Sequence, residues 1–330
     1  MENEYHVRLS SAEIANLWTT YQGDTMSICV FNYFLKHVDD EEVKQLMAHA
    51  LDVSQQHVEM IRKIMKVEEI HIPQGFGEQD VNLGAGRLFT DVFYLHYMKQ
   101  MAKGGLETYS RLLPDIYRKD IRSFFSKCLA TTIELHEKVT KLMLDKGIAV
   151  RPPHIPEPKK VEFVEKQSFM LEGLGKGRPL TGLEISNLYK NVKTNELGSA
   201  LATGFSQVVE SKKLAKYILR GKEIATKHVR IFSDYLGNDS LPVPTSIDET
   251  VTDSTEAPFS DKLISYHFNL MTYSGIGNYG SAIAQSQRSD LAIDYSRLMA
   301  EILKYGEDGL NIMINNGWLE KPPMAAERKS

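Results

Sequence analysis

Two side chains in the first half of the chain, Asp24 and His57, pair a carboxylate with an imidazole, groups that can bind a metal ion or transfer a proton. Both fall on apolar stripes spaced by three and four residues, the pattern of helices that face a core. Asp24 lies about 15 residues before an acidic turn near residue 39, and His57 lies about 18 after it, so antiparallel helices would place them within about 5 Å along the axis. The spacing therefore predicts a contact between the two side chains.

The same two positions recur later in the chain, where Asn195 and His228 follow Asp24 and His57 by 171 residues. We predict that all four are buried polar core residues, because a buried polar group requires a hydrogen-bond partner. The alternative is a metal- or small-ligand-binding site at the Asp24 and His57 level of the first half. Two ligands are few for a metal ion, and the second half offers an amide instead of the carboxylate. We therefore assign no metal, catalytic or cofactor-binding residues, and keep Asp24 and His57 as metal candidates.

The recurrence extends over nearly the whole chain. At an offset of 171, and of 170 beyond residues 74 to 88, many residues match identical ones, among them Leu9 and Leu180, Glu13 and Glu184, Phe34 and Phe205, Pro73 and Pro244, Tyr109 and Tyr279, and Gly147 and Gly317. A register kept over about 140 residues indicates a duplicated domain rather than a solenoid. The sequence predicts a first domain at 1–150, an extended linker at 151–179 containing Pro-rich and Gly-rich runs (the latter Gly173–Gly177), and a second domain at 180–330.

Each half predicts four helices. Capping boxes, Ser10 with Glu13 and Thr181 with Glu184, open the first helices, and Gly147 and Gly317 close the fourth. Short links near residues 39 and 114 flank a long one at 68–88, which is repeated at about 238–258. Two short links around a long crossover are the connectivity of ferritin-like bundles. We therefore predict an all-α fold of two tandem four-helix bundles with ferritin-like topology.

The ligand set of a di-metal ferritin-like bundle is missing from the sequence. Such a site takes a Glu from each of two helices and a Glu-x-x-His from each of the other two. The Glu-x-x-His at residues 68–71 lies at a helix end, and Glu137 and Glu307 should point away from the core. Gly275–Gly280 matches the dinucleotide pattern G-x-G-x-x-G, but it falls inside a helical stripe, where its amides are not free to bind phosphate.

The composition excludes several classes of protein. With a net charge of -4 and an isoelectric point near 6.2, the chain gives no reason to expect a nucleic-acid partner. The sequence shows neither a signal peptide nor an apolar run of the roughly 20 residues that span a bilayer. Cys29 and Cys128 are predicted to be small core residues in a reducing compartment. We expect a cytoplasmic protein.

Several longer stretches carry a resemblance to a known family. They are Leu-Ser-Ser-Ala-Glu-Ile-Ala-Asn-Leu-Trp at 9–18, Leu-Arg-Gly-Lys-Glu-Ile-Ala at 219–225, Pro-Phe-Ser-Asp-Lys-Leu at 258–263, Ile-Gly-Asn-Tyr-Gly at 276–280 and Asn-Asn-Gly-Trp-Leu-Glu-Lys-Pro-Pro at 315–323. The chain resembles an uncharacterised family of tandem ferritin-like proteins from endospore-forming bacilli, whose members are often labelled "putative spore coat protein". The resemblance covers nearly the whole chain and brings neither an established activity nor catalytic residues.

The resemblance and the missing ligand sets lead to one functional expectation. We expect a non-enzymatic structural or interaction protein linked to sporulation or stress, with spore association as a further localisation. It should need no cofactor, and protein partners or self-association are compatible with it. A metal- or small-ligand-binding protein using Asp24 and His57 is the alternative, and a carrier of an apolar ligand between helices is a third.

Overall fold

The computed structural model describes residues 7–171 and 178–326. Within these ranges the chain forms eight α-helices, four in each half, and no β-strand, with one isolated antiparallel bridge between Val81 and Phe259. The predicted all-α class with tandem four-helix halves is confirmed. The helices are α1 (Ser11–His37), α2 (Glu41–Val67), α3 (Asp91–Leu112), α4 (Lys119–Asp145), α5 (Gly182–Val208), α6 (Lys212–Asn238), α7 (Asp261–Gln285) and α8 (Ser289–Asn315).

The predicted helix boundaries have the expected local chemistry. Both capping boxes are present: Ser10 and Thr181 accept hydrogen bonds from the third helical residue, and the carboxylates of Glu13 and Glu184 accept one from the backbone amide of the cap residue. Gly147 and Gly317 follow the ends of α4 and α8 with φ of +69° and +68°. This left-handed backbone is easiest for glycine, so it explains why both helices stop there.

Side-chain contacts set the directions of the helices in the first bundle. The beginning of α2 meets the end of α4 through Asp40 and Lys146, and the end of α2 meets the beginning of α4 through Glu68 and Arg118. Late residues of α1 stack on early residues of α3, with the rings of Phe34 and Tyr94 4.3 Å apart. Because α1 is also antiparallel to α2, α2 and α3 are parallel, and residues 68–90 form the long crossover between them.

The second bundle repeats these pairings. Arg220 and Tyr235 of α6 bind Asp308 and Asp294 of α8, in the order of antiparallel helices. Asn187 and Asn195 of α5 bind Gln285 and Tyr279 of α7 in the same sense. The core between the helices is apolar and aromatic, with fully buried side chains that include Leu188, Val192, Phe232, Leu236, Tyr279, Tyr295 and Leu298.

The compact units differ from the sequence repeats in two segments. One unit is Met1–Ile148 with Glu256–Leu263 and Gly317–Ser330, and the other is Ala149–Thr255 with Ile264–Asn316. Two stretches of the second repeat therefore belong to the compact unit of the first. The predicted boundaries at 150 and 180 mark the repeat in the sequence, and they stay a prediction.

The predicted linker has no α-helix between α4 and α5 in its described part, which carries a single 3-10 turn at Gln167–Phe169. Its side chains are mostly exposed, and Phe163 is 85% exposed. The Gly173–Gly177 run lies outside the described residues. None of the helices described is both long and apolar enough to cross a membrane.

Candidate functional site

The predicted contact in the first bundle is present. Nδ1 of His57 lies 3.1 Å from Oδ2 of Asp24, with the histidine buried and 13% of the Asp24 side chain exposed. A carboxylate accepts hydrogen bonds, so Nδ1 carries the proton and Nε2 of a neutral ring keeps its lone pair. That Nε2 is buried and has no hydrogen-bond partner among the residues that the structure describes. Asp24 therefore orients the imidazole of His57, and Nε2 of that ring accepts no hydrogen bond from the described residues.

Side chains from the other two helices surround this pair. The ring of Tyr109 on α3 meets the His57 ring edge-on at 6.1 Å, and Phe124 on α4 does so at 6.0 Å. Burial raises the pKa of the Tyr109 phenol and of the Cys128 thiol, and the nearby charge of Asp24 raises both further. Cys128 therefore stays protonated at neutral pH and is not prepared to act as a nucleophile.

In the second bundle, one residue from each helix joins a continuous hydrogen-bonded layer. The amide of Asn195 donates to the Tyr279 hydroxyl at 2.9 Å, and that oxygen lies 2.8 Å from Nδ1 of His228. Nε2 of His228 lies 2.9 Å from the Glu301 carboxylate, which Lys227 also binds. His228 is fully buried, whereas Asn195 is half-buried. The network consistent with these atoms has Nε2 donating to Glu301 and Tyr279 donating to Nδ1.

The charges of this layer follow from its environment. Burial lowers the pKa of His228, although the hydrogen bond to Glu301 works in the opposite direction. For Glu301, burial disfavours the carboxylate, but the hydrogen bonds from Lys227 and His228 outweigh it and lower the pKa. A neutral imidazole next to an ion pair of Lys227 and Glu301 is the resulting state near pH 7.

The two copies differ in how they use the histidine. The copy of Tyr279 is Tyr109, but the copy of Glu301 is Thr131, so the first bundle lacks the carboxylate that binds Nε2 in the second. The sequence pattern predicted both histidines, but not Tyr279 and Glu301 as their partners. Tyrosine at equivalent inward positions of both halves was a signal for the first; nothing in the repeat pointed to Glu301.

The remaining acidic residues lie away from these layers. Glu137 and Glu307 are exposed, as predicted. Glu68 of the Glu-x-x-His pairs with Arg118 at 2.8 Å, and His71 is exposed. Across residues 7–171 and 178–326, no three His, Cys, Asp or Glu side chains are grouped so that they could hold a metal ion. Gly275–Gly280 lies within α7, as predicted, and does not form a phosphate-binding loop.

A second duplicated feature went beyond the prediction. The buried carboxylates of Glu13 and Glu184 reach past their own capping boxes and accept backbone amides just before the fourth helix of each half. Arg178 also binds Glu184 through two hydrogen bonds of 2.8 and 2.9 Å. Burial opposes ionisation of Glu184, but these hydrogen bonds prevail and lower its pKa to about 2. Each carboxylate thus joins the beginnings of the first and fourth helices.

Comparison with known proteins places the chain in a family. It belongs to the family described as "Protein of unknown function (DUF3231)", which matches residues 2–161 and again 168–330. The suspected family and the duplication are therefore confirmed. An "Uncharacterized protein YvdQ" of Bacillus subtilis (strain 168) is 24% identical over 147 residues, which are 43% of this chain and 85% of that protein.

A solved structure is also similar to part of the chain. The crystal structure of a "putative spore coat protein" from Bacillus halodurans C-125 is 21% identical, with a TM-score of 0.42. The match covers 46% of this chain and 98% of that one. Both relatives thus match a stretch about as long as one repeat.

Proposed function

We propose that this protein is a non-enzymatic structural or interaction protein of ferritin-like topology, in which polar groups at the middle of each bundle fasten the helices to one another. The observation that supports the proposal is the layer formed by Asn195, Tyr279, His228 and Glu301. One residue comes from each of α5 to α8, and each of the four side chains is hydrogen-bonded to a neighbour in the layer. Such a network specifies how four helices pack.

The geometry of this layer favours a structural role over metal binding. The two nitrogens of His228 lie on opposite sides of the imidazole and bind Tyr279 and Glu301, so these groups do not converge on one point. Lys227 already neutralises Glu301. A cation entering here would have to break hydrogen bonds that are buried or half-buried, at a cost of roughly 1–3 kcal/mol for each group left unpaired.

The proposed biological setting is sporulation or stress in a bacillus-type cell, with the protein in the cytoplasm and associated with the spore. This setting rests on the family resemblance. Quantifying the chain in growing cells and in purified spores, with a deletion strain as control, tests it. The proposal predicts enrichment in spores; equal abundance in both, together with unaltered spores in the deletion strain, would contradict it.

A metal- or small-ligand-binding role for the first bundle is the second candidate. The observation in its favour is the buried, unused Nε2 of His57, because a carboxylate on the other nitrogen is how proteins orient a histidine ligand. This candidate predicts that Asp24→Asn abolishes binding and barely changes thermal stability. A large loss of stability without any bound species in the wild type would favour the structural role.

A further inference from the structure

A short segment of the second repeat completes the compact unit of the first. Within Glu256–Leu263, the carbonyl of Pro258 accepts a hydrogen bond of 2.8 Å from the Asn82 amide, and the Ser260 amide donates to the Asp80 carbonyl at 3.0 Å. These bonds flank the antiparallel bridge between Val81 and Phe259. The segment is therefore bound as an added strand, through its main chain.

Two side chains of the segment occupy specific positions. Phe259 is buried, and its ring meets the Tyr33 ring edge-on at 5.2 Å. The Ser260 hydroxyl donates to the Asp80 carboxylate at 2.7 Å, and this carboxylate is itself only 3% exposed. Without the segment, Asp80 would lose a hydrogen bond and Tyr33 an aromatic partner, so the surface fits an aromatic residue followed by a hydroxyl.

The ends of the segment are recognised by charge and hydrogen bonding. The Gly86 amide donates to the Glu256 carboxylate at 2.6 Å. At the other end, the Lys262 ammonium donates to the Gly75 carbonyl at 2.9 Å and lies 4.9 Å from the centre of the Phe76 ring. We call the surface formed by Tyr33, Asp80, Val81, Asn82 and Gly86 the crossover groove.

We propose that the crossover groove is a recognition site for an extended Pro-Phe-Ser segment, and that a second copy of the chain can supply this segment by exchanging its Glu256–Leu263. The segment lies more than 100 residues beyond α4 in the sequence. The 36 residues between α4 and α5, whose described part has no α-helix and is mostly exposed, can reach beyond about 100 Å when extended. The covalent chain therefore does not decide which copy fills the groove.

Protein concentration then sets the balance between the two arrangements. A tethered segment has a high effective concentration near its own groove, so closure within one chain dominates in dilute solution. Exchange between copies uses the same contacts and becomes favourable as the chains are concentrated, as in other cases of domain swapping. This exchange goes beyond the proposed structural role, because a protein that serves as a scaffold could also remain a single chain.

A pair of cysteine substitutions placed on different chains tests the proposal. One chain carries Asp80→Cys and the other Ser260→Cys; the two are co-expressed with different affinity tags, purified through both tags and mildly oxidised. Exchange predicts a covalent dimer of about twice 37.4 kDa. Because Cys29 lies close enough to Asp80 for that charge to raise the pKa of its thiol, every chain in the experiment also carries Cys29→Ala; Cys128 is buried and should not react. Chains with Asp80→Cys and the exposed Lys160→Cys form the control pair, which should give no covalent dimer.

A chain with both Asp80→Cys and Ser260→Cys shows whether the pair can form a disulfide. If that chain closes its own disulfide while the mixed chains give no covalent dimer, the proposal is wrong. Native mass spectrometry of the unmodified chain at rising concentration is an independent readout. We expect a dimer whose fraction rises with concentration and is the same in Ser260→Ala, because the closed chain and the exchanged dimer both contain one Ser260–Asp80 contact per chain. Absence of a dimer at every concentration would overturn the proposal and leave the proposed function standing.

Discussion

His57 and His228 have different hydrogen-bond partners, although both occupy the same position of a duplicated helix. His228 has a hydrogen-bond partner on each nitrogen, Tyr279 and Glu301, whereas His57 is hydrogen-bonded to Asp24 alone among residues 7–171 and 178–326. In the second bundle these polar groups therefore bind one another, whereas in the first bundle Nε2 of His57 has no hydrogen-bond partner among the described residues. Two positions of the repeat account for this difference: Asp24 of the first half is replaced by Asn195, and Thr131 by Glu301.

Removing the Tyr279 hydroxyl tests the second layer. Tyr279→Phe should destabilise the protein by about 1–3 kcal/mol, because it leaves Nδ1 of His228 buried without a partner. The matched Tyr109→Phe should cost less, since the Tyr109 hydroxyl makes no hydrogen bond within the described residues. Urea denaturation compares the midpoints of the two variants. Equal losses would show that the layer contributes no more than the ring packing.

Glu184 gives stability a dependence on acid. Its pKa is lowered from an ordinary value near 4.5 to about 2 in the folded protein, so the folded state favours the charged form. The resulting stabilisation is complete above about pH 4.5 and is lost as the pH falls toward 2. Glu184→Gln should therefore lower stability at pH 7 and flatten its decline between pH 4.5 and 2. Urea denaturation at pH 4.5 and at pH 2 measures the loss of stability across this range. If Glu184→Gln loses as much stability as the wild type, Glu184 is not the group responsible.

At the scale of whole helices, the ends are fixed by groups that join one helix to another. The carboxylates of Glu13 and Glu184 each accept the amide of their own N-cap residue and also the amides that precede the fourth helix of the same half. At the other end, glycine in the left-handed region stops α4 and α8. Local backbone chemistry thus sets where each of these helices begins or ends. The apolar face of each helix is then buried in its bundle.

Two glycines of the first bundle should respond in opposite directions to alanine. Gly147 has a φ of +69°, so Gly147→Ala should cost about 1 kcal/mol, because a Cβ disfavours this conformation. Gly104 lies within α3 with open space where a Cβ would be, so Gly104→Ala should stabilise the protein by about 0.5–1 kcal/mol. Thermal unfolding of both variants checks the signs. Loss of stability in Gly104→Ala would contradict the open space beside Gly104, because it would mean that the added Cβ meets a neighbouring group.

At the scale of the whole chain, the sequence predicted the features that follow from the helical period and from the duplication. The stripes and the repeat predicted eight helices, and the short acidic turn fixed the register that brings Asp24 to His57. Partners contributed by remote segments were not predictable in the same way. Nothing in the helical period indicates that Glu301 reaches His228, or that Phe259 lies beside Tyr33. Those contacts depend on the arrangement of elements, which a local pattern does not encode.

In the proposed function, the polar residues at the middle of each bundle belong to the core and do not form a metal site. Plasma mass spectrometry tests it on protein grown with iron, manganese and zinc, and purified without chelators or a histidine tag. We expect a metal content near zero per chain, unchanged in Asp24→Asn and in Tyr279→Phe. One tightly held metal ion per chain that is lost in Asp24→Asn would contradict it and place a metal site at His57.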